Sequence, residues 1–492
     1  MENKIKFRNH VSIILENSLK TIGTVVFLFV LNFISDSDEM GIQVSDVVFL
    51  TVFLLIAIGL ITGLHAVIWS RTYITIEENT LVIERNTLNK KRNTIGLKTI
   101  SNVNLEQNLL EMILGTCKVK LDTNSLSTAE ETDVKIVLKK TEAERFRQMV
   151  LCKAEEKEFS TANEEAGSNQ QPVQNMQMSD KLLIGDMGDI MLHGLFSIRI
   201  SMIILLIVLG FFQITMLLDA ENIGETIVEM FVNMITLFWF SGIIIWGILK
   251  EFIKYLNFRI ERKKDKVYLN YGLFKKVAYS VPVDKINGIR LTQTPIARMA
   301  KRYMVEIINV GMDDDENETN TFFLPYSKLE IVKAQIHLLL PEFDGAIEIK
   351  EERQSKAIWL LSVPWLLLYI AVVAVIYIAI PAMESELKTA VVVVAVVMFC
   401  WRLITKTAGF FTKGIKVDKQ FLKIVDGKFA KRTLFVKYDK IQYVTGKQCV
   451  IARHFKIQKG TIFLLASMKN RIHELPYFKE AEMEKLKDFL IS

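Results

Sequence analysis

One stretch occurs three times in this chain. Residues Gly272 to Arg298 read GLFKKVAYSVPVDKINGIRLTQTPIAR, and Gly427 to Arg453 read GKFAKRTLFVKYDKIQYVTGKQCVIAR. No gap is needed to align the glycine, the Asp-Lys-Ile triplet and the Gln-x-x-Ile-Ala-Arg run. Anchoring on Ile286 and Ile441 brings out a weaker first copy around Ile100. In it Gln107 matches Gln293 and Gln448, and Asn86 stands where the others have Gly272 and Gly427. Glycine and asparagine most readily take the positive φ of a tight turn, so all three positions are expected to be turns between strands. Two residues on, Leu88, Phe274 and Phe429 are large and apolar; four residues on stand Lys90, Lys276 and Lys431. Such a pattern is one folded unit used three times.

Half of the 492 residues are hydrophobic although 24% are charged, and the two kinds are segregated along the chain. Long apolar runs near Leu19 to Ile34, Val47 to Trp69, Phe196 to Leu218, Met230 to Leu249, Ala357 to Ile380 and Ala390 to Thr405 approach the roughly 20 residues that span a bilayer. They come in pairs, each followed by short alternating runs bounded by turn residues, which are strand signals. The expected fold is therefore membrane α-helical hairpins plus α+β soluble domains, three times over. The expected boundaries are an interfacial start and hairpin at 1–69, a β domain at 70–152, a flexible linker at 153–180, hairpins at 181–253 and 344–406, and β domains at 254–343 and 407–492. An amphipathic helix closes each β domain, with Leu-Pro-Tyr at 324–326 and again at 475–477 marking the approach to two of them.

Each hairpin returns the chain to the side it left, so the amino terminus and all three β domains share one face. The connecting loops carry Asp38, Glu221 and Glu386 among other acids, while Lys4, Arg71, Lys250, Lys254, Lys356 and Arg402 flank the opposite ends. The positive-inside rule puts the β domains and both termini in the cytoplasm and the protein in the cell membrane.

No catalytic, cofactor or metal site is expected. There is no nucleophile elbow, phosphate-cradling glycine loop or paired-histidine metal motif, and the six histidines are dispersed. His65 and His193 lie near apolar segments without a carboxylate at matching depth, which favours packing or interfacial hydrogen bonding over a proton relay. Cys117, Cys152, Cys400 and Cys449 show neither disulfide nor zinc spacing. The acidic run Asp313 to Glu318 lacks the spacing of a calcium loop and reads as a solvated hairpin tip. The repeated glutamines satisfy loop backbone more readily than they bind a ligand.

The plan of two membrane helices, a β domain with a signature turn and glutamine, and a closing helix resembles the bacterial pleckstrin-homology family of membrane proteins in its multi-repeat form. The fullest match is QNLLEMILGTCKVKL, Gln107 to Leu121. Repeats two and three replace the family glycine, Gly115 here, with Lys301 and Lys456, which leaves open whether that loop is shared. The resemblance implies a bent antiparallel sandwich capped by a helix, a smaller single-repeat membrane protein as partner, and a role in the cell envelope such as antimicrobial tolerance.

The basic excess of repeat three gathers at its turn, where Lys428, Lys431 and Arg432 are the candidate contact for anionic lipid; nucleic acid is not expected, because the aromatic residues alternate with strand positions. The function expected is a non-enzymatic integral membrane scaffold for protein or lipid contacts. The alternative is a lipid-handling or transporter-like machine gated by the β domains, against which stand apolar helices with little polar lining.

Overall fold

The computed structural model describes residues 5–36, 44–77, 79–87, 90–97, 100–123, 135–150, 181–198, 200–218, 223–309, 322–379, 385–466 and 468–491. The linker, the acidic run at 313–318, Cys152 and most of the acidic hairpin loops lie outside them. Repeat one runs β1 (Ile5–Phe7), α1 (Ser12–Asp36), α2 (Val44–Ser70), β2 (Thr72–Ile76), β3 (Thr80–Asn86), β4 (Lys90–Gly96), β5 (Ile100–Gln107), α3 (Leu109–Ile113), β6 (Thr116–Thr123), β7 (Lys135–Lys139) and α4 over residues 140–150. Repeat two runs β8 (Lys181–Ile184), α5 (Met187–Phe196), α6 (Ile200–Leu218), α7 (Ile223–Lys254), β9 (Arg259–Lys263), β10 (Lys266–Tyr271), β11 (Lys276–Pro282), β12 (Ile286–Gln293), α8 (Pro295–Met299), β13 (Arg302–Asn309), β14 (Phe322–Lys328) and α9 (Leu329–Leu339). Repeat three runs β15 (Glu352–Arg353), α10 (Val363–Ala379), α11 (Ser385–Thr412), β16 (Gly414–Val417), β17 (Phe421–Gly427), β18 (Lys431–Lys437), β19 (Ile441–Lys447), α12 (Val450–His454), β20 (Ile457–Leu464), α13 (Met468–Arg471), β21 (Ile472–Lys479) and α14 (Glu480–Ile491).

The apolar runs fold as helices that pack in pairs, α1 on α2, α6 on α7 and α10 on α11. Among the described residues four stretches are long and apolar enough to cross a membrane: Val52–Ser70, Met234–Lys254, Lys356–Ile378 and Lys388–Thr412. A fifth candidate is the pair Met187–Phe196 and Ser201–Phe211, bent by 59°. Their apolar surface faces outward, as lipid-facing surface must. His65 bonds the Ile61 carbonyl one turn back in its own helix at 2.9 Å. His193 is buried among Tyr255, Phe322 and Tyr326.

A short strand before each hairpin pairs antiparallel with the first strand after it: β1 with β2, β8 with β9, and β15 with β16. This moves three expected boundaries. The expected interfacial start holds an edge strand at Ile5–Phe7, in which Phe7 packs on the first core and meets the Phe146 ring. The segments at 181–184 and 352–353 likewise belong to the β domain that follows their hairpin. Strands of two to four residues carry no periodicity to read.

The chain forms two compact units, 1–179 with 268–280, and 180–267 with 281–492. In the first, Ile74, Leu81, Val103, Val119, Ile136 and Phe146 form a core closed by α4. In the second, Leu422, Val436, Ile462, Leu464, Leu475 and Leu486 form the core of repeat three, closed by α14 and joined by Ile308 from β13 of repeat two. The Leu-Pro-Tyr motifs lie inside the last strand of a domain, and the closing helices α9 and α14 begin directly after those strands. The β13–β14 register shifts around Leu324, and the β20–β21 register shifts between Leu475 and Phe478. A proline without a donor suits such a bulge.

Candidate functional site

The signature residues are where repeats fold and where they join. Each repeated glutamine donates its amide to the carbonyl nine residues on: Gln107 to Thr116 at 2.7 Å, Gln293 to Arg302 at 3.0 Å, and Gln448 to Ile457 at 3.1 Å. The amide thus closes the short-helix loop onto the next strand. At the loop's end Gly115, Lys301 and Lys456 all take positive φ, 65°, 52° and 51°. The loop is therefore the same in all three repeats, and two lysines accept a left-handed backbone to make it.

The tight turns divide differently. Gly272 and Gly427 have φ of 107° and 129°, and a Cβ there would lie 1.8 Å from the Lys275 carbonyl oxygen and 2.0 Å from that of Ala430. Only glycine fits. Asn86 corrects the expectation of a third positive-φ turn: it ends β3 opposite Lys90, as Gly427 ends β17 opposite Lys431, but its φ is not positive.

Consecutive repeats are joined strand to strand. In the first unit β11 lies antiparallel to β5, with Lys276 opposite Gln107 and Ala278 opposite Leu105. In the second unit β18 lies antiparallel to β12 from Lys431 opposite Gln293 to Val436 opposite Gly288. The register is identical: the repeat lysine of one domain faces the repeat glutamine of the domain before it. Gly288 permits the approach, since a Cβ there would meet the Phe435 carbonyl oxygen at 2.6 Å. In the second unit this yields a seven-stranded sheet, β14-β13-β12-β18-β17-β16-β15, while β19-β20-β21 stand as a separate three-stranded sheet.

Side chains reinforce the second junction. Arg290 donates to Asn470 at 2.7 Å and pairs with Glu306 at 3.5 Å, and Asn287 donates to the Leu465 carbonyl. Arg298, the arginine of the Ile-Ala-Arg run, donates to Thr412 at 3.0 Å and to the Lys428 and Phe429 carbonyls at 3.1 and 3.3 Å. Thr412 in turn donates to the Lys428 carbonyl at 2.9 Å, and Lys413 pairs with Asp426 at 2.6 Å. The turn of repeat three is thus docked on the end of membrane helix α11, where Phe429 meets the Trp401 ring at 6.1 Å.

This places the candidate lipid contact. Lys428 and Arg432 are exposed beside the exposed Phe429, and neither forms an ion pair among the described residues. Lys431 differs: its ammonium meets Glu351 at 2.9 Å, and Glu351 also holds Lys423 at 2.8 Å. Burial works against ionising Glu351, but the bonds from Lys423 and Lys431 outweigh it and hold the carboxyl down at about 2. Glu351, Arg298 and Thr412 are the residues that sequence reasoning missed. Of these only Arg298 lay within the repeated motif. Glu351 is 80 residues from Lys431 and directly precedes β15, a two-residue strand with no sequence signal.

Among the described residues no cluster of His, Cys, Asp or Glu is arranged to hold a metal ion. A cavity of about 30 Å³ beside Glu16, Asn108 and Glu111 is the size of a water molecule.

A model of the bacterial PH domain family matches residues 26–153, 197–339 and 358–492, one match per repeat. The chain belongs to the bacterial PH domain family. It is 21% identical over 290 residues to the UPF0699 transmembrane protein YdbT of Bacillus subtilis (strain 168), a match that covers 56% of this chain and 57% of that protein. The chain therefore spans just over half the length of that curated relative. No solved structure matches. Membrane helices, three family matches and antiparallel sheets capped by helices together make this a membrane protein carrying three bacterial PH domains.

Proposed function

We propose that the protein is a non-enzymatic membrane scaffold whose PH-like domains lie on the cytoplasmic side and whose third domain reads the anionic leaflet. The observation that carries this is the turn of repeat three, held to the end of α11 by Arg298 and Thr412 with Lys428, Phe429 and Arg432 exposed. Cations and an aromatic ring at the end of a membrane helix sit at headgroup depth, where each basic residue contributes about 1 kcal/mol toward anionic lipid. Lys431, neutralised by Glu351, supports the turn more than it binds.

In nanodiscs the full chain should enrich spin-labelled anionic lipid over zwitterionic lipid. The pair Lys428→Gln with Arg432→Gln should lose most of that preference, whereas Lys431→Gln alone should lose little. Equal enrichment in all variants would remove the lipid reading. Orientation has its own test. In a background without native cysteines, an impermeant thiol reagent on intact cells should modify a cysteine at Ser37 and spare one at Lys419. The smaller single-repeat partner and the antimicrobial-tolerance setting are proposals of the same kind, tested by co-purification from native membranes and by challenging a deletion strain with cationic peptides.

A further inference from the structure

Among the described residues β5 and β12 have a strand neighbour on both sides, one from their own repeat and one from the following repeat, whereas the equivalent β19 has β20 alone. Its outward edge carries exposed Gln442, Tyr443, Gly446 and Lys447, where β12 is largely buried. A second residue is equally idle. Arg453 occupies in α12 the motif position of Arg298, which in α8 donates to the turn carbonyls of the incoming hairpin; Arg453 is exposed and has no ion pair among the described residues.

We propose that β19 and Arg453 form a docking site for a β-hairpin of another polypeptide, added antiparallel in the register of β18 on β12. Charge selects the occupant. At the position next to the repeat glutamine, the internal junctions oppose Glu106 to Val277 and Thr292 to Arg432, never like charges. In β19 that position is Lys447. The first repeat of a second copy would bring Lys91 against it, and like charges directly opposite destabilise a ladder. The fitting partner carries an acidic residue there, so it is a different chain. The rival reading is that Lys447 guards an open edge against any pairing.

The proposal is independent of lipid contact and is tested without anionic lipid. The probes are two labelled peptides spanning Gly427 to Lys437, one native and one with Arg432→Glu, offered to the full chain in neutral detergent. In the proposed register the residue at 432 faces Lys447 and the turn carbonyls face Arg453. The glutamate peptide should bind about fivefold or more tighter than the native one, as one cross-strand charge pair allows. Lys447→Glu, an exposed change that leaves the fold intact by circular dichroism, should reverse the order, and Arg453→Gln should weaken both. A photo-crosslinker at Tyr443 should capture the peptide. Binding of neither peptide, equal binding of both, an order unchanged by Lys447→Glu, or crosslinks from Tyr443 to β4 of a second copy would each overturn the proposal.

Discussion

The two internal junctions use one register with very different support. The first, β5 with β11, runs over three residue pairs from Gln107–Lys276 and includes the ion pair of Lys275 with Glu106 at 3.6 Å. The second, β12 with β18, runs over six pairs and adds Arg290 with Asn470, Asn287 with the Leu465 carbonyl, the Arg298 cap and Ile308 within the core of repeat three. Met112 stands at the motif position that Arg298 fills in repeat two, and its thioether cannot donate to turn carbonyls as that guanidinium does. The shared ladder fixes geometry; the side chains across it fix cohesion. Buried hydrogen bonds and charge-assisted pairs each add of order 1 kcal/mol when both partners are satisfied. The first junction should therefore open before the second.

Breaking the turns tests this most strongly. Valine at Gly427 would set a β-branched residue at positive φ against the Ala430 carbonyl and should cost at least about 2 kcal/mol. Amide exchange should then accelerate in β18 and β12 while β5 stays protected. Gly272→Val should do the reverse, exposing β11 and β5 and sparing β18. Loss of protection at both junctions from either change would mean that the repeats do not fold as separable units.

These turns also show how far the sequence can be read. The three repeats, the glycine turns and the glutamine loops were legible because each is a local requirement: one backbone conformation, or one amide reaching nine residues along the chain. The pairing of β18 with β12 was not, because the two strands are some 140 residues apart and each looks like a strand of its own domain. The same holds for Glu351, whose two lysines lie in strands beyond an entire membrane hairpin. Asn86 misled for a simpler reason. Asparagine tolerates positive φ but does not require it, whereas Gly427 occupies a site where any Cβ collides.

Acid should separate the junctions less drastically. His473 donates from Nε2 to the Asn470 carbonyl at 2.8 Å, and burial together with the Arg290 charge pushes its pKa down to about 4. The unfolded chain, with histidine near 6.5, binds the proton more readily than the native one. The contribution of neutral His473 is thus complete above about pH 6.5 and is lost as pH falls towards 4. Glu351, held at about 2, contributes above the ordinary carboxylate range near 4.5 and is lost between there and pH 2. The second junction should loosen in two steps on acidification, read as β18 exchange corrected for intrinsic rate. His473→Gln should remove the upper step and leave the lower one.

The smallest effect comes from the loops that all three repeats share. Lys301 and Lys456 hold φ near 50° where repeat one has Gly115, and the left-handed backbone costs an ordinary residue about 1 kcal/mol or more. Glycine would relieve that strain but lose part of the gain, up to about 1 kcal/mol, to the greater freedom of the unfolded chain. Lys456→Gly should therefore stabilise repeat three by less than about 1 kcal/mol, and Gly115→Lys should destabilise repeat one by a similar amount. Space does not intervene, because nothing lies within 4 Å of a Cβ built at Gly115. The glutamine clamp sets a control: with Gln448→Leu also present, the Ile457 carbonyl loses its donor and the loop no longer holds the residue at 456 in place, so the benefit of glycine should shrink. An undiminished benefit would show that the left-handed turn forms without the glutamine, and that the clamp and the turn are independent features of the repeat.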